Sequence, residues 1–165
     1  MNEKNLEVCI LAAGYGTRMR SSIPKVMQSL AGRPLLGHLF NSVEKLNPEK
    51  IHVVVGPEID SVRQSFPNQN INWVTQAERL GTGHAVMQAL PHLGKDVRLL
   101  ILLGDAPLIS TNTMQDLISS DAPLTVLTSN VDDPQGYGRI IRDHGGSISA
   151  IVEERDATQQ QILIK

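Results

Sequence analysis

Of 165 residues only one, Cys9, is a cysteine, which excludes an internal disulfide framework and a Cys-x-x-Cys metal or redox site. Lying inside an apolar run, it reads as a buried structural thiol. A basic surplus is also missing: 15 Lys and Arg stand against 17 Asp and Glu, for a formal net charge of −2. Binding to a phosphate backbone needs the opposite balance, so no nucleic-acid partner is expected. No apolar run approaches the roughly 20 residues that span a bilayer, and Met1 to Leu6 carries mixed charges instead of a leader's hydrophobic stretch. These absences lead to the expectation of a cytoplasmic protein without a membrane partner. Several catalytic signatures are absent too. Without G-x-S-x-G, and with the lone cysteine in a strand-like run, covalent catalysis is disfavoured. Met19 stands where G-x-G-x-x-G needs its third small residue, and no G-x-x-x-x-G-K-[ST] occurs, which sets aside the dinucleotide fingerprint and the P-loop. The histidines, His38, His52, His84, His92 and His144, show neither H-x-x-x-H nor H-x-x-H spacing and read as surface or core residues.

What is present is an alternation of apolar runs and helical stretches, in a chain that is 41% hydrophobic and long enough for one domain with a real core. The pattern predicts an α/β fold with a mostly parallel sheet. Strands are expected at Val8 to Ala13, Ile51 to Val55, Ile71 to Thr75, Val97 to Leu103 and Leu124 to Thr128. Helices are expected from about Pro34 to Leu46, Gly56 to Phe66, Gly83 to Leu90 and Thr111 to Ser119. The stretch Val97 to Leu103, aliphatic but for Arg98, reads as a central strand buried on both faces. Near the C-terminus, Arg139 to Arg142 and Ser147 to Val152 flank His144-Gly145-Gly146 and read as a β-hairpin. The last residues, Ala157 to Lys165, offer no capped element and look like an unfinished fold.

Ligands of open α/β sheets bind outside the carboxyl ends of the strands, where three groups of residues collect. The first is Gly14-Tyr15-Gly16 after the opening strand, whose small residues allow a phosphate to reach the backbone amides. Arg18 and Lys25 follow in the same loop, a guanidinium fork and an ammonium point charge suited to phosphate oxygens. A plain strand-to-helix turn with solvated cations is the alternative. The second group is Gln76 with Gly81-Thr82-Gly83-His84. A glutamine amide offers a donor and an acceptor and so can match the N3–H and O4 edge of a pyrimidine; a helix start capped by Thr82 is the alternative. The third is Asp105, a hard carboxylate suited to Mg²⁺ shared with substrate phosphates, or else a turn former before Ala106-Pro107. Glu153 and Glu154 could hold hydroxyls of a second substrate; as adjacent strand residues only one can point inward. A cationic loop, a metal-ready carboxylate and a base pocket suit phosphoryl or nucleotidyl transfer.

Five blocks, in order, resemble the N-terminal pyrophosphorylase domain of the bacterial bifunctional N-acetylglucosamine-1-phosphate uridyltransferases. They are Leu11 to Met19 with Pro24-Lys25-Val26, Gln76 with Gly81-Thr82-Gly83-His84-Ala85, Gly104 to Leu108, Gly136 to Ile140, and Ile151 to Ala157. The resemblance implies the Rossmann-like fold of nucleotide-diphospho-sugar transferases and Mg²⁺-dependent uridylyl transfer from UTP to N-acetylglucosamine 1-phosphate. It assigns catalytic roles to Arg18 and Lys25 and the uridine contacts to Leu11, Ala12, Ala13, Gly14, Gln76, Gly81 and Thr82. Asp105 would bind Mg²⁺, and Gly138 and Glu153 the sugar. Tyr15 departs from the family, which often has a basic residue there. The family domain also continues with an Asn-x-Gly segment and a later metal-binding residue, so residues 1–165 are expected to form one nucleotidyltransferase domain, incomplete at its C-terminus. An acetyltransferase half, and trimerisation through it, are not expected. Two other readings stay open: a catalytically silent UTP-binding fragment, and a sister sugar-phosphate nucleotidyltransferase. Ala13, where guanylyl and thymidylyl relatives tend to have Gly, and the Gly-Thr-Gly-His-Ala loop, which cytidylyl relatives lack, both favour uridine.

Overall fold

Aliphatic residues fill both the odd and the even positions of Val8 to Leu11 and Ile51 to Val55, the pattern of strands covered on both faces. A computed structural model, which describes residues 5–14, 16, 19, 21, 23–57, 59–67 and 70–165, places these runs at the centre of a sheet. In chain order the elements are β1 (Leu6–Leu11), β2 (Ser29–Leu30), β3 (Arg33–Pro34), α1 (Leu35–Val43), β4 (Lys50–Val55), α2 (Ile59–Gln64), β5 (Ile71–Thr75), α3 (Thr82–Ala89), β6 (Arg98–Leu103), α4 (Thr111–Ser119), β7 (Arg139–Arg142), β8 (Ile148–Val152) and α5 (Gln159–Ile162). The chain divides into two compact units, residues 1–123 and 124–165. No helix among the described residues is long and apolar enough to cross a membrane.

In the first unit the strand order is β5-β4-β1-β6 and every pairing is parallel. One face carries Val8, Ile10, Val53, Leu100 and Leu102 against α1, whose Leu36, Leu39, Phe40 and Val43 recur at helical spacing and are buried. Burial of each such side chain stabilises the fold by about 1.5–3 kcal/mol. Met114 of α4 joins this core, and Ser110 caps that helix by accepting from the Thr113 amide at 3.0 Å. The other face holds Cys9, Val54 and Val74 under Ala85 and Ala89 of α3. Burial there pushes the Cys9 thiol up to about 11, consistent with an inert structural cysteine. At the amino end of the same face, Glu7 receives His52 Nε2 at 2.8 Å and the Gly94 amide at 3.2 Å, with Lys50 Nζ 3.5 Å away. Asn72 Nδ2 lies 3.0 Å from His52 Nδ1, a donor on the side of the ring away from Glu7.

Two expectations for strands are corrected. Strand β6 lies at the edge of the sheet, not at its centre. Leu100 and Leu102 enter the α1 core and Leu99 packs against the cluster under α3, but α3 lies mainly over β1, β4 and β5. Ile101 and Leu103 are therefore left 45% and 49% exposed. Residues 124–128 form no strand: β-propensity alone makes none without a ladder partner, and none pairs with them among the described residues.

The second unit is built on the expected hairpin. Strands β7 and β8 pair antiparallel with an irregularity at Ile141 and Arg142, and Asp143 Oδ1 accepts the Gly145 and Ser147 amides at 2.9 Å to close the turn. Arg139, 3% exposed, donates to the Tyr137 and Ile162 carbonyls and to Glu154 Oε2. The C-terminal residues correct the expectation of no capped element. Thr158 and Gln161 form a reciprocal capping box on the single-turn helix α5.

Candidate functional site

The carboxyl ends of β1, β5 and β6 meet at one cavity of about 550 Å³ within the first unit. Beyond each strand the backbone continues for one more bonded residue: Ala12 N–H donates to Val54, Gln76 N–H to Val55 and Gly104 N–H to Leu11, at 2.7–2.9 Å. The loops that follow are thus launched from fixed points. Leu11, Ala12, Ala13 and Gly14 form one wall, Gln76, Gly81 and Thr82 another, and Lys25 and Asp105 a third. Tyr15 and Arg18 lie outside the described residues. Gly138 and Glu153 belong to the second unit, where the Glu153 carboxylate would lie 3.8 Å from a β-carbon added at Gly138.

Two glycines shape the cavity. Gly16 has a φ of +62°, and a Cβ on it would lie 2.8 Å from Lys25 Cβ. A Cβ on Gly104 would lie 2.9 Å from Val26 Cγ1 and 3.0 Å from the Leu11 carbonyl oxygen. The small residues therefore let the loops after β1 and β6 close on each other, which brings Lys25 to Asp105. The Lys25 ammonium is ion-paired with Asp105 Oδ2, both side chains being 36% exposed toward the cavity. Asp105 is thus more than a turn former: it carries the negative member of a pair that bridges loops 80 residues apart.

The second wall differs from expectation in its detail. Gly81, not Thr82, is the N-cap of α3; its φ is +101° and no side chain caps the helix. Gln76 is 3% exposed. Its Nε2 donates to the Gly81 carbonyl at 3.2 Å and lies 2.9 Å from His84 Nδ1. The double contact expected from this amide is therefore reduced to one, because only Oε1 remains to meet a ligand. Glu154, expected on a strand beside Glu153, instead follows β8 in a 3₁₀ turn and accepts the Gly136 amide and the Arg139 guanidinium.

Sequence reasoning missed Arg79, His84 and Gln88. Arg79 lines the cavity and its Nε donates to the Ala13 carbonyl, tying the loop after β5 to that after β1. The sequence signal for it was its place between Gln76 and Gly81; His84 and Gln88, i and i+4 on α3, carried only the spacing of helix neighbours. A metal would find one carboxylate here. Asp105 is a hard oxygen donor open to the cavity, and among the described residues no three His, Cys, Asp or Glu side chains gather as a ligand cage. That donor set fits Mg²⁺, which takes one or two protein carboxylates and completes its shell with water and phosphate oxygens.

Comparison with known proteins agrees with this geometry. The family model of the MobA-like NTP transferase domain matches residues 8–158. Bifunctional protein GlmU of Pseudomonas aeruginosa is 53% identical over 159 residues, and that of Saccharophagus degradans 50% over 161. These alignments take in 95% and 96% of this chain but only 35% and 36% of the relatives, so the chain spans about a third of their length. Among solved structures, HddC of Yersinia pseudotuberculosis complexed with GMP-PN superposes with a TM-score of 0.68 at 27% identity, covering 89% of this chain and 68% of that one. Rv0371c of Mycobacterium tuberculosis in complex with manganese superposes with a TM-score of 0.60 over 70% of this chain and 59% of that one; at 18% identity it speaks to the fold alone. The resemblance read from the five sequence blocks is borne out, and with it nucleotidyl transfer as the class of chemistry. Matched over most of its length and built around a nucleotide-sized cavity at the carboxyl edge of a parallel sheet, the chain belongs to the MobA-like NTP transferase domain family.

Proposed function

We propose that the chain serves Mg²⁺-dependent transfer of a uridylyl group from UTP to N-acetylglucosamine 1-phosphate, giving UDP-N-acetylglucosamine and pyrophosphate. The observation that carries this reading is the single cavity in which Lys25 and Asp105 face Gln76 and two glycine-bearing loops. An oxygen of the sugar phosphate attacks the α-phosphorus of UTP in line, and the bond to the β-phosphate oxygen breaks to release pyrophosphate. Lys25 neutralises the triphosphate, with backbone amides of Ala13 and Gly14 beside it. Asp105 would hold Mg²⁺, which when bound supplies charge neutralisation for the departing pyrophosphate. Gln76 Oε1 accepts the uracil N3–H, and Leu11, Gly81 and Thr82 enclose the nucleoside. Gly138 and Glu153 supply the sugar contacts, and Arg18 a second cation for the phosphates. The family match across 8–158 supports reading both units as parts of one nucleotidyltransferase domain. The five-block resemblance to the N-acetylglucosamine-1-phosphate uridyltransferases, which the similarity to the GlmU proteins supports, implies UTP as donor and a place in the cytoplasmic supply of activated amino sugar for peptidoglycan and lipopolysaccharide.

A second reading, transfer of another nucleotide, is motivated by the guanine nucleotide bound in HddC. Calorimetric titration with UTP and Mg²⁺, with CTP and GTP as controls, separates the two. Selective binding of UTP is expected, weakened by about 1–3 kcal/mol in Gln76→Ala, the usual cost of an unpaired buried polar group. Equal affinities for the three nucleotides, or an unaffected variant, would sink the base assignment. Release of pyrophosphate on addition of N-acetylglucosamine 1-phosphate then distinguishes turnover from binding alone.

A further inference from the structure

The amide of Gln76 can face a base in two orientations, and the choice decides which base fits. With Oε1 toward the cavity it accepts the N3–H of uracil; turned over, it would donate to the bare N3 of cytosine. Two neighbours hold it. The Gly81 carbonyl, 3.2 Å from Nε2, can only accept, so it favours the amide nitrogen on its side. His84 Nδ1, 2.9 Å from the same Nε2, favours it only if that ring nitrogen carries no proton. The proton must then sit on Nε2, which lies 3.0 Å from the Gln88 amide nitrogen. A neutral imidazole cannot accept at both nitrogens, so the Gln88 amide pairs with the ring when rotated half a turn, its oxygen accepting Nε2–H. The Gly81 carbonyl thus anchors the Gln76 amide, His84 Nδ1 gives it a second acceptor, and Gln88, one turn further along α3, offers a partner to the Nε2 proton that this tautomer requires.

We infer that His84 is a positioning residue for base selection: in its Nε2–H tautomer, with Gln88 as the partner of that proton, it joins the Gly81 carbonyl in locking the buried Gln76 amide with its oxygen toward the nucleotide and so favours uracil over cytosine. This rests on the uridine reading above. The chain of hydrogen bonds lies wholly behind the base edge, so its loss should change which pyrimidine binds more than how tightly phosphates bind. A histidine that merely packed would affect both nucleotides alike.

The test is the ratio of UTP to CTP affinity, by calorimetry with Mg²⁺, in the intact chain. His84→Leu removes the acceptor and leaves only the Gly81 carbonyl, so the preference for UTP should narrow about fivefold, the worth of one hydrogen bond. His84→Asn keeps an acceptor near the Nδ1 position and should restore most of the ratio. Gln88→Met, a milder change on α3, should shift the ratio in the same direction as His84→Leu if that variant folds poorly. Equal losses for UTP and CTP, or an unchanged ratio in both His84→Leu and Gln88→Met, would overturn the inference. A wild-type chain without UTP preference would instead overturn the uridine reading. The tautomer is read without nucleotide, from long-range nitrogen–proton NMR correlations of the His84 ring; a proton on Nδ1 would overturn the relay by itself.

Discussion

A β-carbon at position 16 would have to enter the space of Lys25 Cβ, 2.8 Å away, on a backbone with a φ of +62°. Both penalties fall on the same residue, so Gly16→Ala should lower stability by about 1–2 kcal/mol in urea denaturation. It should also displace Lys25 and weaken UTP, CTP and GTP by a similar factor, since the phosphates are common to all three. Glu7 makes a different prediction. Its burial opposes the charged form, but the His52 hydrogen bond, the Gly94 amide and the Lys50 charge together hold its carboxyl below the ordinary value of 4.5. The folded state therefore binds the Glu7 proton less readily than the unfolded chain. The stability this contributes is complete above the ordinary carboxylate range and is lost as pH falls through the lower folded value. Urea midpoints measured between about pH 3 and 6 should fall on acidification, and Glu7→Gln should flatten the lower part of that curve.

The two-residue turn between β2 and β3 places both Ala31 and Gly32 at positive φ, 49° and 79°. Such a turn favours Asn-Gly, and alanine is strained in it. Ala31→Asn should therefore raise the urea midpoint by about 0.5–1 kcal/mol of stability. Nothing in the sequence marked that turn, because Ala-Gly is a weak turn pair. Elements with long periodic patterns were readable: β4, β5 and α4 lie where their apolar spacing puts them, within a residue or so at either end. Strand β6 was readable as a strand but not as an edge, because its neighbours depend on which helix covers which strands. The capping residues Thr158 and Gln161 stand in the sequence as Thr-x-x-Gln directly before Ile162-Leu163-Ile164, a helix-start signal that was legible there. At the cavity, the glycine loops, Gln76 and Asp105 were legible because each follows a strand. Arg79, His84 and Gln88 were not, since their importance lies in what they touch: the Ala13 carbonyl, the Gln76 amide and the His84 ring.

Over the whole molecule, protection should follow the number of ladders each strand enters. Strands β1 and β4 are hydrogen-bonded on both sides, β5 and β6 on one. Hydrogen exchange followed by mass spectrometry should find the amides of β1 and β4 slowest and those of residues 124–138, which form no element, among the fastest. A slow-exchanging 124–128 segment would contradict the absence of a strand there. The parallel order also has a consequence in time. Strands β1, β4 and β5 can pair once residue 75 has emerged from the ribosome, and the turn bearing Gln76 follows directly. Asp105 arrives only with β6, whose pairing along the whole of β1 brings together residues 80 positions apart at the Lys25 contact. Such distant pairings close slowly and late. As the chain leaves the ribosome, the wall that carries Gln76 can thus be standing before the wall that carries the carboxylate has emerged, and until β6 docks, a nascent chain has no Asp105 to set against Lys25.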